Sequence, residues 1–315
     1  MKKTVFLLLL PLFAATVKAQ ESQTVYNFLR LPVSAHAAAL GGYNITIIED
    51  DPTLVFHNPA LLASVSDKTI NLNYMSYMEG VKTASASFNR VVKDKASVAL
   101  MAQYMDYGKM KQTNADNVQL GEFSAKDIAV SGAFSYILSQ RLVGGITARF
   151  VSSSMAGYTS TAMGVDLGLN YYDPEREWSV SIVAKNLGGQ LSAYNEEYEP
   201  IPIDLQVGAS KKFAVLPFRV SATLVDLNHL DYKFIDHLVA GVDLLLSSQF
   251  YVAAGYSFRR SHEMGLLDAE GEESSHGAGF SFGAGLQLDR FKVQLSYGKY
   301  HIAASSLLVN VSYNL

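Results

Sequence analysis

Any chemistry in this chain of 315 residues would have to come from seven histidines, His36, His57, His229, His237, His262, His276 and His301, and from carboxylates gathered in two stretches. None of the histidines stands in a metal-ligand spacing such as HExxH, so the expectation is no metal, no cofactor and no enzyme. A serine, a histidine and a carboxylate can still meet by folding, because a triad is defined by geometry and not by order, but no spacing here singles out such a set. The first acidic stretch, 188–202, holds Tyr194, Glu196, Glu197, Tyr198 and Glu199; the second, 261–275, holds Glu263, Met264, Leu266, Leu267, Asp268, Glu270, Glu272 and Glu273. Carboxylates mixed with aromatic and Met anchors suit the docking of a protein with a basic face, and equally a surface that is simply solvated. The net charge of -4 provides no basic face for nucleic acid.

The elements that must position these residues are strands. From Lys68 to Leu315 alternate residues are apolar in some fourteen short segments: Ile70, Leu72 and Tyr74 against Thr69, Asn71 and Asn73, or Leu307, Val309, Val311, Tyr313 and Leu315 against Asn310, Ser312 and Asn314. A strand has period two, so each segment has one apolar and one polar face. Strands are expected at 68–78, 82–91, 95–107, 125–138, 140–153, 159–171, 177–187, 203–213, 217–227, 236–246, 249–260, 276–288, 290–300 and 305–315. Their length of about 10 residues suits a tilted strand crossing a bilayer core. Even-numbered connections are tight, whereas 108–124, 188–202, 228–235 and 261–275 are long and fall on the opposite side. Short periplasmic turns, long outer loops and an even strand count predict an all-β fold, a 14-stranded antiparallel transmembrane β-barrel in outer-membrane lipid. A soluble sandwich also alternates, but it does not require asymmetric loops or Tyr and Trp gathered near strand ends, as Tyr74, Tyr136, Tyr171 and Trp178 are.

Alternation places Arg149, Asp166, Lys185, Asp204, Arg219 and Asp243 on the lumen side. Both signs are present, which favours structural pairing over a one-sign ion filter. Met75, Met101 and Met105 face the same way, either packing against a plug or lining an adaptable apolar site.

Residues 1–19 read as a signal peptide, with Lys2 and Lys3 before the apolar run from Val5 to Ala15. The absence of cysteine leaves no lipid-attachment thiol and no disulfide. Residues 20–67 break the barrel rhythm and read as a small N-terminal hatch or plug, leaving 68–315 for the barrel. Ala35 to Leu40 forms a helix stopped by Gly41 and Gly42, which accept positive φ angles. Asn44 to Ile48 suggests a brief strand, and Asn58-Pro59-Ala60 opens a helical turn, with Asn as cap and Pro at the first position where its missing N–H costs nothing.

The run from Phe28 to Gly42, followed by Asp50-Asp51-Pro52, Phe56-His57-Asn58-Pro59-Ala60-Leu61 and Asn71 to Gly80, resembles the PorV/PorQ branch of the fatty-acid-transporter-like outer-membrane barrels. The Asn-Pro-Ala element is shared across that wider family, whereas the extended run is more specific. The resemblance implies a role in the type IX secretion system of Bacteroidetes, as a membrane anchor whose outer loops hold a surface partner of the attachment complex, PorZ-like or PorU-like. The wider family implies the alternative, an outer-membrane transporter of fatty-acid-like hydrophobic molecules, with the hatch gating the barrel.

Overall fold

The computed structural model describes residues 24–78, 80–116, 118–213, 215–267, 273–274, 277–301 and 304–315, with only the backbone at 266–267 and 273–274. The signal segment and Glu272 lie outside the described residues.

Fourteen strands run in chain order: β1 (Thr69–Met78), β2 (Val81–Lys93), β3 (Ala96–Thr113), β4 (Gln119–Ile137), β5 (Leu142–Met155), β6 (Tyr158–Asp173), β7 (Trp178–Ser192), β8 (Asp204–Lys212), β9 (Phe218–Leu224), β10 (Leu238–Leu245), β11 (Phe250–Ser257), β12 (Phe280–Gln287), β13 (Phe291–His301) and β14 (Ala304–Asn314). Each pairs antiparallel with its neighbours, and β1 closes on β14 with Thr69 opposite Asn314. Closure gives every strand two partners and leaves no edge, the condition for crossing hydrocarbon with strands. The pleat sorts side chains as the alternation requires: Leu72 and Leu100 stand 61% and 65% exposed outside, while Asn71 and Met101 on the other face are buried. So large an apolar exterior has lipid and not water as its solvent.

One end of the barrel carries tight turns and the other, the loop end, carries the long connections. At the loop end Ala156 and Gly157 join β5 to β6 with φ of 52° and 89°, the doubly left-handed turn whose twist matches its strands.

Several elements differ from the sequence expectation, and β7 runs on to Ser192, into the stretch 188–202 expected as a loop. The stretch 108–124 is not a loop: β3 and β4 continue as a ladder in which Lys109 opposes Ser124 and Thr113 opposes Gln119. Strand β11 stops at Ser257, whose hydroxyl accepts the Arg260 N–H and starts a short helix, α2 (Phe258–Glu263). Asn44 to Ile48 forms no strand, because the Asn44 side chain takes the N–H groups of Thr46 and Ile47 into a local turn and so removes them from any ladder.

The segment 24–66 fills the lumen. Helix α1 (Ala35–Ala39) lies against β11 to β14, the 3₁₀ turn Pro52–Phe56 against β1 and β2, and the 3₁₀ turn Pro59–Ser64 against β3 to β6. The most buried large side chains belong mainly to this segment, with Phe28, Leu40, Ile45, Ile47, Leu54, Leu61 and Leu62 among them. Met101 joins the cluster of Val33, Val55, Phe56 and Leu62, and Met105 joins Tyr26, Phe28 and Leu29, so the lumen-facing methionines pack against the hatch.

Candidate functional site: the hatch and its two flanking cavities

Glycines in the wall set how closely the hatch approaches. A Cβ at Gly145 would lie 2.3 Å from the Pro59 carbonyl carbon, and one at Gly255 would lie 2.1 Å from that of Leu40. Only a residue without a side chain admits backbone at that range. Gly41 and Gly42 end α1 with φ of 99° and 103°, and their N–H groups return to Ala38 and Ala37 at 3.2 and 2.9 Å. Asn58 caps the turn that follows: its Oδ1 accepts the Ala60 N–H at 3.0 Å, while its Nδ2 donates to Ile45 O at 3.0 Å and to Ser181 Oγ at 3.2 Å. One side chain therefore ties two hatch segments to β7.

A buried ionic cluster fastens the other side. His36 is fully buried on α1; its Nδ1 lies 2.7 Å from Glu49 Oε1 and its Nε2 lies 2.7 Å from Asp243 Oδ1 on β10. Its ring stacks on Tyr251 at 3.9 Å. Arg219 on β9 pairs with Asp243 at 2.7 Å, and Lys292 on β13 approaches Glu49 at 3.5 Å. Burial works against charge on His36, but the two carboxylates outweigh it and raise the pKa. Burial likewise works against charge on Glu49, yet His36 and Lys292 hold it well below the usual carboxylate range. The two ring nitrogens face opposite carboxylates, so this is a clamp for a protonated imidazole and not a metal site. Among the described residues no group of His, Asp and Glu is placed to hold a metal ion.

His57 behaves in the opposite sense. Its Nε2 accepts the Ser34 N–H at 3.3 Å, a bond that requires the neutral ring, and burial together with Lys185 pushes its pKa down to about 3.

Arg149 binds the wall and not the hatch: it pairs with Asp166 at 2.7 Å, donates to Ser131 at 3.3 Å and meets Asn186. Asn186 has φ of 55° at an irregularity between β6 and β7, and its N–H donates to Asp166 at 2.7 Å. Arg149 and Asp166 are thus two of the lumen charges of opposite sign, paired with each other along the wall. The hatch is held instead by Asp243, Arg219 and Lys292, and by Arg30, which bonds Asp226 at 2.9 Å.

Among the described residues, two cavities of about 200 Å³ each lie against the hatch. The one at the turn end, about 200 Å³, lies between Thr46, Ile48, Ser210 and Arg219. The one at the loop end, about 210 Å³, lies between Arg30, Tyr43, Arg259 and Arg260. The first is lined by β6 to β10 and the second by β1, β11, β13 and the connection after β9, and the irregular segment 43–48 contributes to each.

The residues proposed for docking separate in space. Glu196, Glu197 and Tyr198 are exposed, Tyr198 at 66%, whereas Tyr194 turns back to place its hydroxyl on Ser153 of β5. Met264 is half-buried in the loop-end cavity. Leu266 and Leu267 pair with Ser274 and Glu273 in a two-residue ribbon. Missed in the sequence were the His36 clamp, whose members lie 13 and 207 positions apart, and Arg260, which fell within an expected strand.

The fold and its filled lumen define a class, the fourteen-strand transmembrane barrel plugged by its own N-terminal segment. Among solved structures, the chain is similar in fold to the Pseudomonas putida toluene transporter TodX, with 14% identity, a TM-score of 0.58 and coverage of 90% of this chain and 98% of that one. A Pseudomonas aeruginosa FadL homologue matches with 10% identity and a TM-score of 0.56, over 89% of this chain and 98% of that one. The CymD monoaromatic hydrocarbon channel matches with 12% identity and a TM-score of 0.58, over 90% of this chain and 97% of that one. The likeness is one of fold. No protein-family model and no curated protein sequence matches the chain.

Proposed function

We propose that the protein is a hatch-gated passage for small hydrophobic molecules across an outer membrane. The observation that carries this reading is the pair of cavities at opposite ends of the barrel, both lined by the segment 43–48, which has neither helix nor strand. Displacing that segment, with Gly41 and Gly42 as the pivot, would join the two cavities without disturbing a wall strand. The fold shared over 90% of this chain with a toluene transporter and a monoaromatic hydrocarbon channel supports the same reading. Fold alone does not carry function, so the test is direct. A Cβ at Gly208 would lie 3.0 Å from Thr46 Cγ2, a spacing suited to a disulfide in a chain that has no other cysteine. Cells carrying Thr46→Cys/Gly208→Cys in a lipopolysaccharide-bearing outer membrane are expected to take up toluene only after reduction. Uptake that ignores the redox state, or wild-type uptake no faster than that of barrel-free cells, would reject the passage.

A second reading is favoured by the run from Phe28 to Gly80 and by the exposed Glu196, Glu197 and Tyr198. On this reading the chain is a PorQ-like anchor of type IX secretion in Bacteroidetes, and its loops hold a PorZ-like or PorU-like surface protein. Mild-detergent purification from native membranes separates the two. A stoichiometric β-rich surface companion supports the anchor, and a solitary barrel carrying a hydrophobic molecule supports the passage.

A further inference from the structure

Strand β3 changes the side its residues face as it leaves the membrane at the loop end. Up to Asp106 its odd positions point into the lumen, Met101 and Met105 among them, and Lys109 and Lys111 would follow. Between Asp106 and Lys109, however, β3 advances three residues while β4 advances two, from Lys126 to Ser124. Gly108 takes φ of 71° at this bulge, and its N–H donates to Asp106 Oδ1 at 2.9 Å. The extra residue shifts the alternation by one. Lys109 and Lys111 therefore face outward with Ser124, Glu122 and Lys126, while Tyr107 turns inward and donates to Asp127 at 2.7 Å.

The result is a basic patch on the outer side of the wall. Lys82 on β2 opposes Asp106, which opposes Lys126 on β4, so the two lysines stand two strand spacings, about 10 Å, apart. Lys109 and Lys111 rise beyond them on the protruding hairpin, and all four lysines are exposed. Only two carboxylates lie among them: Glu122 pairs with Lys109 at 3.1 Å, and Asp106 holds the bulge. Lys82, Lys111 and Lys126 have no ion pair among the described residues.

The depth of the patch is set by the row beneath it. Tyr74, Ala84, Tyr104 and Ile128 stand side by side on the same face, one pair of residues or about 7 Å along the strand from Lys82 and Lys126. Tyrosines of this kind mark the boundary between hydrocarbon and headgroups, which puts the lysines among the headgroups. Farther along the same row stand Ser154 on β5 and Thr159 on β6. From β5 to β12 no lipid-facing strand position at the loop end is Lys or Arg among the described residues. The charge is confined to one sector.

We propose that the outer wall of β2 to β4 is a binding site for the phosphorylated sugar headgroup of a lipopolysaccharide, the lipid of an outer leaflet. Its diglucosamine carries a phosphate at each end, and Lys82 and Lys126 take one each. An ammonium group holds phosphate as a compact point charge, on a stem long enough to lie along apolar surface. Lys111 meets further anionic groups of the same headgroup, and the acyl chains lie on Leu72, Leu100 and Val130, all exposed below the patch. The site faces lipid, lies outside the lumen and does not depend on passage through the barrel.

The test is native mass spectrometry of the detergent-purified chain, folded as judged by heat-modifiable gel mobility. It is titrated with bisphosphorylated lipid A or with the same lipid after phosphatase treatment. One retained molecule of the phosphorylated form per chain is expected, with the dephosphorylated form held at least tenfold more weakly. Lys82→Gln/Lys111→Gln/Lys126→Gln should weaken binding of the phosphorylated form at least tenfold. Lys93→Gln/Lys95→Gln, which removes two exposed cations at the turn end, should leave it as in wild type. Equal binding of the two lipids, or binding unchanged in the triple variant, overturns the site. Equal weakening by the turn-end pair would trace binding to net charge and overturns it as well. Toluene uptake by a chain that holds no lipid A defeats this site alone, and lipid A binding without uptake defeats the passage alone.

Discussion

His36 and Asp243, both fully buried, meet at 2.7 Å across 207 positions of sequence, joining the hatch helix to the barrel wall. Removing one member of a buried, hydrogen-bonded ion pair costs about 3 to 5 kcal/mol, because the charge left behind is neither solvated nor paired. His36→Phe keeps the ring stack on Tyr251 but leaves Glu49 and Asp243 with only Lys292 and Arg219. Hydrogen exchange of hatch amides 35–48 is expected to speed up by about two to three and a half orders of magnitude, at about 1.4 kcal/mol per tenfold, while strand amides stay protected. Unchanged exchange would mean that the clamp does not hold the hatch.

The two hatch histidines predict opposite pH dependences. The folded pKa of His36 is raised above its ordinary 6.5, so its stabilisation is complete below that value and is lost as pH climbs through the raised folded pKa. His57 is lowered from 6.5 to about 3, so its contribution is present above pH 6.5 and is lost as pH falls from there towards 3. Amide protection in residues 33–58 should therefore peak between the two limits. His57→Gln should flatten the acid limb alone, and a monotonic profile would contradict the assignment.

Gly255→Ala would drive a methyl group to within 2.1 Å of the Leu40 carbonyl carbon and 2.3 Å of the Gly41 N, both of them backbone atoms. Overpacking of this kind costs about 1 to 3 kcal/mol or more, and here the hatch must yield because the strand is fixed by two ladders. Faster proteolysis of residues 33–48 is expected, with the heat-modifiable gel shift of the barrel retained. Gly132→Ala, with nothing within 4 Å, is the matched control and should behave as wild type.

Asn58→Ala removes a helix cap and the donor to Ile45 O together. Loss of such a cap costs about 0.5 to 2 kcal/mol, and an abandoned buried carbonyl adds about 1 to 3 kcal/mol. Asn58→Asp keeps the acceptor for the Ala60 N–H and loses both donated bonds. Hydrogen exchange around 43–48 should rise in both variants, whereas the 59–64 turn should loosen chiefly in the Ala variant. Equal loosening of the turn in both would show that the cap adds nothing.

The alternation in Thr69 to Met78 and in Ala304 to Asn314 was legible because lipid on one side imposes a period of two on side-chain polarity. Where that solvent ends, so does the signal. Beyond Asp106 strand β3 continues to Thr113 in a ladder with β4, but its residues Lys109, Lys111 and Gln112 are exposed, so a strand there reads as a polar loop. The end of β11 misled for a different reason: Phe258-Arg259-Arg260 keeps an alternating look, yet the Ser257 hydroxyl caps a helix and turns the chain inward.

By itself the sequence determined the strand count, the faces of the strands and the closed wall, since each follows from near neighbours and from the rule that lipid tolerates no unpaired backbone. Only the tertiary structure decided how the hatch is fastened and where charge goes unanswered. His36 meets Asp243, and Arg260 finds no counter-ion among the described residues, because barrel closure fixes which lumen residues face the hatch. Those distances depend on register and twist around the whole wall, which no local pattern encodes.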